Sequence, residues 1–243
     1  MDRFSRIRRL IGNNNFNELQ CKKITIIGLG AVGSYVVEAL ARAGLSNIRV
    51  VDFDVIKISN INRQLFALES TLGKYKVDAA VERIRQINPD CNVEGYKIFA
   101  HKDTLEEILD NNPDIVIDAI DSVAPKTALL YELYFRNIKT ISSMGAALRT
   151  DPGKIRCTDL FDSKKCRLAK IIRKKLKRLG VGRGITCIYS EEITEVFNNV
   201  YEDISETEFF RGRKRSVMGS LSTITGIFGL WIANEAILRL LKE

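Results

Sequence analysis

The sequence predicts an α/β fold with a doubly wound, mainly parallel sheet, and two observations support this prediction. Short, β-branched apolar runs alternate with helical segments through the first 145 of the 243 residues. A glycine-rich turn, Gly28-x-Gly30-x-x-Gly33, follows the first apolar run and precedes a helical pattern. Because no repeat or low-complexity linker divides the chain, we expect a single domain.

The predicted elements follow one another in a regular order. Strands are expected over residues 24–27, 48–52, 93–98, 114–118 and 139–142, with helices over 2–10, 33–43, 74–87, 103–110 and 125–136. After Pro152-Gly153 we expect an irregular C-terminal subregion, with a basic helix over 164–179, a strand over 185–189 and a mobile loop over 198–208. The charge-free run 216–234 is interrupted by glycine, serine and threonine, so it predicts a buried C-terminal helix rather than a membrane span.

The glycine-rich turn is typical of Rossmann-like folds that hold phosphates. Gly28 permits the tight turn, Gly30 lets the backbone approach a phosphate, and Gly33 lets the helix pack closely on the strand. Asp52 ends the second predicted strand at the spacing of a ribose-binding carboxylate. The alternative is that these glycines shape a turn in a fold that binds no nucleotide. We therefore predict a nucleotide-binding core over 1–150, a covering subregion over 151–215 and a packing helix over 216–243.

Polar and cationic residues downstream of Asp52 favour ATP over a dinucleotide. They are Asp54, Asn60, Asn62, Arg63, Gln64, Lys74 and Lys76. An arginine and a lysine beside a glycine turn can neutralise the charge that develops on the α-phosphorus and on departing pyrophosphate. A dinucleotide with two phosphates needs fewer such donors.

A carboxylate for a magnesium ion is expected at the end of the fourth predicted strand. Asp121 and Ser122 directly follow the apolar run 113–120. Ligands of open α/β sheets bind at this edge, beyond the carboxyl ends of the strands. Asp118, one step earlier within the strand, is the competing candidate. Asp121 can also cap the helix that begins near Val123, and this role is compatible with metal binding.

These motifs, in this order and spacing, resemble the adenylating domain shared by ubiquitin-activating enzymes and their bacterial relatives in thiamine and molybdopterin synthesis. The resemblance implies that ATP adenylates a carboxylate. Asp52 would then hold the ribose, and Arg63, Lys76 and Asp121 would be catalytic, the first two on phosphates and Asp121 on magnesium. The full nucleotide-binding set that we predict is Gly28, Gly30, Gly33, Asp52, Asp54, Asn60, Asn62, Arg63, Gln64, Lys76, Asp121 and Ser122.

Segments along nearly the whole chain resemble one branch of this family, the tRNA threonylcarbamoyladenosine dehydratases. They are residues 3–6, 83–89, 118–122, 158–160 and 188–192. The resemblance implies that the threonyl carboxylate of a modified adenosine in tRNA is adenylated and then attacked by its own carbamoyl group, which closes a ring. It also implies a homodimer that involves the C-terminal region, and it leaves a sulfur-transfer partner open.

The charge of the chain predicts a polyanionic partner such as RNA. The net charge is +8 and the isoelectric point is near 9.2, with the excess in two clusters. The predicted RNA-binding residues are Lys170, Arg173, Lys174, Lys175, Lys177 and Arg178 on the basic helix, and Arg211, Arg213, Lys214 and Arg215 before the C-terminal helix. Such residues give salt-sensitive phosphate contacts. The alternatives are a solvated basic face and a helix that rests on a membrane surface.

Cysteine and histidine usage narrows the class of enzyme. The five cysteines form no Cys-x-x-Cys pair, so the zinc site of the sulfur-carrier adenylyltransferases has no counterpart here. Scattered single cysteines predict a reducing, cytoplasmic setting. Cys187 is the cysteine that we single out as a candidate thiol. Some members of the branch carry a cysteine shortly before the last helix, and its absence from residues 214–219 here argues against a thiol-dependent step. His101, the only histidine, has no catalytic pattern around it.

Two other functions remain open at this stage. The first is an activating enzyme for the C-terminus of a ubiquitin-like or sulfur-carrier protein, which shares the adenylation site. The second is an NAD-dependent oxidoreductase or a non-catalytic nucleotide sensor, which shares only the nucleotide fold.

Overall fold

The protein is described by a computed structural model that covers residues 2–193, 207–210, 213–216 and 218–242, with the backbone alone for 207–210 and 213–216. The strands are β1 Lys23–Ile27, β2 Asn47–Val51, β3 Asn92–Tyr96, β4 Ile115–Asp118, β5 Lys139–Ser143, β6 Ile155–Asp159, β7 Thr186–Ser190, β8 Thr207–Phe210 and β9 Arg213–Ser216. The first seven form one sheet in the order β3-β2-β1-β4-β5-β7-β6. All neighbours in it are parallel except β6 and β7, and β8 and β9 form a separate antiparallel pair.

Helices cover both faces of this sheet. They are α1 Ser5–Ile11, α2 Asn13–Cys21, α3 Gly33–Arg42, α4 Lys76–Ile87, α5 Leu105–Leu109, α6 Val123–Phe135, α7 Arg167–Arg178 and α8 Ser222–Leu240. Ile26 packs in the apolar cluster that contains α3, α4 and α8, whereas its neighbour Ile27 packs in a cluster with α5 and α6. β1 is therefore buried on both faces, as expected for a central parallel strand.

The strand order reverses between β1 and β4, and this places the two main motifs side by side. The chain leaves β1 into the glycine turn and leaves β4 into residues 119–122. The Ala119 amide donates to the Ile27 carbonyl at 2.8 Å, so the two turns are joined by backbone. A crevice at such a switch point is where open α/β sheets bind ligands.

The C-terminal helix α8 lies against the helix that follows the glycine turn. A Cβ at Gly229 would be 2.6 Å from the Val32 carbonyl oxygen and 2.7 Å from Tyr35 Cβ. The small residues of α8 therefore allow the close helix contact that the sequence predicted. No helix among the described residues is long and apolar enough to cross a membrane.

The predicted fold class is confirmed, but four details of the prediction are wrong. Gly12, at φ +85°, ends α1, and an unpredicted helix α2 follows that buries Phe16 and Leu19. After residue 151 the predicted strand 185–189 is confirmed as β7, but β6 was not predicted, and the two strands extend the main sheet. Residues 207 and 208 of the predicted mobile loop lie in β8, whereas 198–206 fall outside the described residues. The last helix begins at Ser222 rather than at 216.

Candidate functional site

The three glycines of the turn have different environments. Gly28 has φ +95°, and a Cβ on it would lie 2.7 Å from the Ala119 carbonyl oxygen. A Cβ on Gly33 would lie 1.8 Å from the Gly28 carbonyl oxygen. The fold itself therefore requires both glycines. A Cβ on Gly30 would meet only Gln64 Nε2, at 3.9 Å, so packing does not require a glycine there. The open space beside Gly30 is where a phosphate can approach the backbone.

Asp52 joins the end of β2 to the glycine turn. Its carboxylate accepts the Leu29 amide at 2.7 Å and the Asp54 amide at 2.9 Å. The side chain is buried, and burial raises the pKa of the Asp52 carboxyl above its ordinary value, against the opposing effects of Lys76 and of the two amides. Asp52 thus shapes the turn in addition to the ribose contact that the sequence predicted for it.

Lys76 and Asp54 form an ion pair at the base of the crevice. Lys76 Nζ lies 2.8 Å from Asp54 Oδ2, and the Lys76 amide donates to the Asp54 carbonyl at 3.0 Å. Lys76 is 6% exposed. Its charge is therefore held in place by the segment after β2 rather than projected into solvent.

The segment that contains Asn60 and Gln64 is anchored beside the turn. The Leu65 amide donates to Ser34 Oγ at 3.1 Å, at the beginning of α3. Asn60 is buried, and its Oδ1 accepts the Lys57 amide at 3.1 Å. Gln64 is buried beside Gly30. These contacts fix the backbone from which the neighbouring polar side chains extend.

Asn62 and Arg63 are the outward-facing members of the same segment. Arg63 Nη1 donates to the Ser59 carbonyl at 2.7 Å and to Asn62 Oδ1 at 2.9 Å. Both bonds lie at the surface, where exchange for a phosphate oxygen costs little. Arg63 is therefore placed to contact an anion that the buried residues of the crevice do not reach.

The structure separates the two carboxylates that the sequence left in competition. Asp118 is completely buried, and its Oδ2 lies 2.5 Å from Lys126 Nζ and 2.6 Å from Ser142 Oγ. Asp121 is exposed in the turn, and its Oδ1 accepts from Ser122 Oγ at 3.2 Å. The capping position of α6 belongs to Ser122, not to Asp121. Of the two carboxylates, Asp121 is the one that a metal ion can reach.

The donor set at the crevice fits a magnesium ion that is shared with phosphates. Within the described residues, no group of three or more histidine, cysteine or acidic side chains is arranged to hold a metal ion. Mg²⁺ usually takes one or two carboxylates, and substrate phosphates and water complete its coordination. The Asp121 carboxylate, at the same sheet edge as the open space beside Gly30, suits that arrangement.

Sequence reasoning missed three polar residues at this edge. Lys126 and Ser142 lie on an apolar helix and an apolar strand, and their only sequence signal is a polar residue at a buried position. Arg149 follows β5 and is buried, with Nη1 2.5 Å from the Glu192 carbonyl oxygen. Its Nε has no hydrogen-bond partner among the described residues. The Glu192 carboxylate accepts the amides of Thr150 and Asp151, so Glu192 holds the loop after β5 in place.

The predicted basic helix is present as α7, which begins at Arg167 rather than at 164, and it is amphipathic. It buries Ala169, Ile172 and Leu176, whereas Leu179 at its end is 48% exposed. Of the cations predicted to bind RNA, those exposed on α7 are Lys170, Lys174, Lys175, Lys177 and Arg178.

Arg173 differs from the other cations of α7. It is half-buried, and its guanidinium donates to the backbone carbonyls of Leu160 and Ser163. This arginine therefore anchors the loop before α7.

In the second predicted cluster, Arg211 lies outside the described residues, and Arg213, Lys214 and Arg215 lie in β9.

Burial raises the thiol pKa of three of the five cysteines. Cys187 is buried in β7, and burial raises the pKa of its thiol to about 12. Burial likewise raises the pKa of Cys91 and of Cys157 to about 11. A nucleophilic cysteine needs a lowered pKa. Cys91, Cys157 and Cys187 therefore pack as neutral, apolar side chains.

Fold and crevice together define a nucleotide-binding α/β protein with a carboxylate at the switch point. The chain belongs to the ThiF family, which it matches over residues 4–243. The family resemblance predicted from the motifs is therefore confirmed.

Two relatives match the chain over nearly its full length, and a third matches 70% of it. It is 36% identical over 244 residues to the tRNA threonylcarbamoyladenosine dehydratase of Bacillus subtilis, covering 100% of this chain and 96% of that protein. It is 32% identical to the Escherichia coli protein of the same name, covering 99% and 94%. The E. coli molybdopterin-synthase adenylyltransferase is 28% identical over 170 residues, which is 70% of this chain and 64% of that protein.

Solved structures show the same similarity. The E. coli tRNA N6-threonylcarbamoyladenosine dehydratase superposes on this chain with a TM-score of 0.87 at 32% identity, covering 99% of this chain and 94% of that one. It has been solved in complex with ATP and in complex with AMP.

Proposed function

We propose that this chain is an ATP-dependent tRNA threonylcarbamoyladenosine dehydratase. The observation that carries the proposal is the exposed carboxylate of Asp121 at the same switch-point crevice as the open glycine turn. The full-length similarity to dehydratases supports the choice of substrate. The cation-rich face of α7 supports a polyanionic substrate.

ATP is bound by the glycine turn and by the segment anchored to it. The phosphates lie near Gly30 and the N-terminus of α3, where backbone amides and the helix dipole favour anions. Arg63 contacts phosphate oxygens from the surface side of the crevice. Lys76 contacts them from below, while Asp54 keeps its ammonium group in place. These two cations stabilise charge that builds up as pyrophosphate departs.

Asp121 would hold a magnesium ion together with the phosphates. When bound, the ion withdraws charge from the phosphate oxygens and favours attack at the α-phosphorus. The protein's own contribution is to present one carboxylate from a turn that is tied to β1 through Ala119. The position of the carboxylate, rather than its basicity, is what this role requires.

The reaction then has two steps. In the first, an oxygen of the threonyl carboxylate attacks the α-phosphorus, and the bond from that phosphorus to pyrophosphate breaks. In the second, the carbamoyl group of the same nucleoside attacks the activated carbonyl carbon, and AMP leaves. The nucleoside loses the elements of water, and the oxygen removed from the carboxylate leaves in AMP. Because ring closure is intramolecular, it gains from proximity and needs no separate acceptor.

The RNA contacts are assigned to the exposed cations of α7. Phosphate contacts of this kind bind RNA by its backbone and shape rather than by its bases.

We also propose a homodimer, which is supported by exposed apolar residues on α8, among them Leu230 and Leu238, at 50% and 43% exposure. Light scattering of the purified protein tests the oligomeric state. A sulfur-transfer partner stays a prediction.

The test is mass spectrometry of nucleosides from tRNA that carries threonylcarbamoyladenosine, after incubation with the protein, ATP and magnesium. We expect ATP-dependent loss of one water. With heavy oxygen in the threonyl carboxylate, we expect the label in AMP. An unlabelled AMP product, or an unchanged nucleoside, would overturn the proposal.

The similarity to the E. coli molybdopterin-synthase adenylyltransferase, over 70% of this chain, supports a second candidate function. It is the activation of a ubiquitin-like or sulfur-carrier C-terminus. Pyrophosphate exchange separates the two functions, since tRNA stimulates exchange in the first and a carrier C-terminus stimulates it in the second.

A further inference from the structure

A charged cluster lies inside the apolar layer directly beneath the crevice. Asp118, Lys126 and Ser142 are each 0% exposed, and they come from the end of β4, the first turns of α6 and β5. Lys126 Nζ lies 2.5 Å from Asp118 Oδ2 and 3.1 Å from Ser142 Oγ, and Ser142 Oγ lies 2.6 Å from the same carboxylate oxygen. The second oxygen, Asp118 Oδ1, accepts the Ile120 amide at 3.0 Å.

Stability alone does not explain this cluster. Its neighbours Ile117 and Ile141 are also 0% exposed, so both charges have given up their hydration. A buried ion pair often contributes no more to stability than apolar side chains of similar volume would. The use of a buried charge in this layer therefore calls for a role in conformation rather than in stability.

The conformation that the cluster fixes is the turn that carries Asp121. Asp118 holds the Ile120 amide, which belongs to the residue immediately before Asp121. Ala119, between them, donates its amide to Ile27, and its carbonyl oxygen lies so close to Gly28 that a Cβ there would be 2.7 Å away. Lys126 and Ser142 both contact the Asp118 carboxylate, which fixes the 119–122 turn. The conformation of the 119–122 turn sets the distance from Asp121 to the glycine turn.

We infer that Lys126 and Ser142 are positioning residues, which act through Asp118 to place the Asp121 carboxylate for the magnesium–ATP complex. The inference rests on the proposed function, because it assigns a role within the same nucleotide site. Partners that orient a metal-binding carboxylate are often worth about 10–100-fold in metal affinity or activity.

The chain provides a matched control in a second buried cation. Arg49 on β2 is 4% exposed and pairs with Glu94 and Asp110, each at 2.5 Å. It also donates to the Ile108 carbonyl at 2.9 Å. None of these partners lies on the glycine turn or on the 119–122 turn. Loss of Arg49 therefore removes a buried cation without touching the presentation of Asp121.

The experiment compares Lys126→Met and Ser142→Ala with Arg49→Met, each with the wild type as reference. Calorimetry measures ATP affinity with magnesium and with a chelator in its place, and hydrogen exchange measures protection of the Ile120 amide. For Lys126→Met we expect magnesium-dependent ATP affinity to fall about tenfold or more. ATP affinity in chelator should change little, and Ile120 should exchange faster. Ser142→Ala should do the same to a smaller extent.

Arg49→Met should lower the melting temperature while magnesium-dependent affinity and Ile120 exchange stay as in the wild type. The inference is overturned if Lys126→Met lowers stability without a selective loss of magnesium dependence, or if Arg49→Met gives the same loss. Should Lys126→Met fail to fold, Ser142→Ala decides, because it keeps the ion pair. Unaltered Ile120 exchange in that variant also overturns the inference.

These readouts do not involve tRNA, so the two proposals fail separately. A wild type that binds magnesium–ATP but leaves tRNA unchanged contradicts the proposed function alone. Normal magnesium dependence in the Lys126 and Ser142 variants of an active enzyme contradicts the positioning role alone.

Discussion

The switch-point crevice and the outer face of α7 both present positive charge, but they hold it in different ways. In the crevice, Lys76 is buried against Asp54 at 2.8 Å, and in the apolar layer beneath it Lys126 is buried against Asp118 at 2.5 Å. On α7, lysines such as Lys174 extend from an exposed face. A fixed, buried charge acts on one oxygen in one geometry, whereas exposed charges act at longer range and are screened by salt.

Because the two kinds of charge act differently, we expect the two regions to govern separate steps. Crevice residues should control adenylation, with little dependence on ionic strength. The face of α7 should control retention of RNA, with a strong dependence on it. A variant in either region that changes both adenylation and RNA retention would contradict this separation.

The largest effect is expected for Asp121→Ala. Removal of the exposed carboxylate should lower AMP formation about a hundredfold or more, because the magnesium ion that would stabilise the transition state loses its protein ligand. Retention of tRNA at low salt should remain nearly intact. Filter binding and AMP release on the same preparation measure both quantities. Asp103→Ala, which removes another exposed carboxylate, is the control and should change neither. Joint loss of adenylation and binding would mean that Asp121 is structural.

Gly33→Ala and Gly30→Ala should separate folding from binding within one turn. The alanine methyl at 33 meets the Gly28 carbonyl oxygen at 1.8 Å, so we expect destabilisation of about 3 kcal/mol or more. At 30 the nearest atom is 3.9 Å away, so stability should change little while ATP affinity falls about tenfold. Thermal melting and calorimetric titration with ATP measure the two effects. Unchanged ATP affinity in Gly30→Ala would mean that the phosphates do not approach the backbone at residue 30.

Sequence reasoning reached the site wherever a residue's role follows from its place along the chain. The glycine turn, Asp52 and Asp121 follow strand ends, and parallel strands bring their carboxyl ends to one edge. Lys126 and Ser142 were missed because their role depends on contacts between α6, β4 and β5 that no local pattern shows. β6 was missed because it is only five residues long and ends in two polar residues, Thr158 and Asp159. The competition between Asp118 and Asp121 needed burial, which only the fold supplies.

Neutralising α7 should have a moderate effect confined to RNA binding. For Lys174, Lys175 and Lys177 changed together to Gln, we expect weaker tRNA binding. The salt dependence should become shallower by about one unit of slope for each RNA phosphate that the helix no longer neutralises. ATP affinity should stay unchanged. Affinity measured across a series of salt concentrations checks this.

Arg173→Gln is the control on the same helix, because that guanidinium holds backbone carbonyls instead of facing solvent. It should lower thermal stability and leave the salt slope as it is. Equal salt slopes in the triple variant and the wild type would remove α7 from the RNA interface.

The smallest effect is expected at Cys187, where burial raises the pKa of the thiol from 9.0 to about 12. A raised pKa favours the neutral thiol in the folded state, so its contribution to stability is complete below pH 9 and is lost as the pH rises towards 12. Cys187→Ala should therefore flatten the fall in unfolding free energy across that alkaline range and leave dehydration at neutral pH nearly unchanged. Denaturant titrations at a series of alkaline pH values measure the first effect, and nucleoside analysis measures the second. A large loss of turnover with normal stability would instead show that the Cys187 thiol takes part in the reaction. β7 would then belong to the catalytic site rather than to the apolar core.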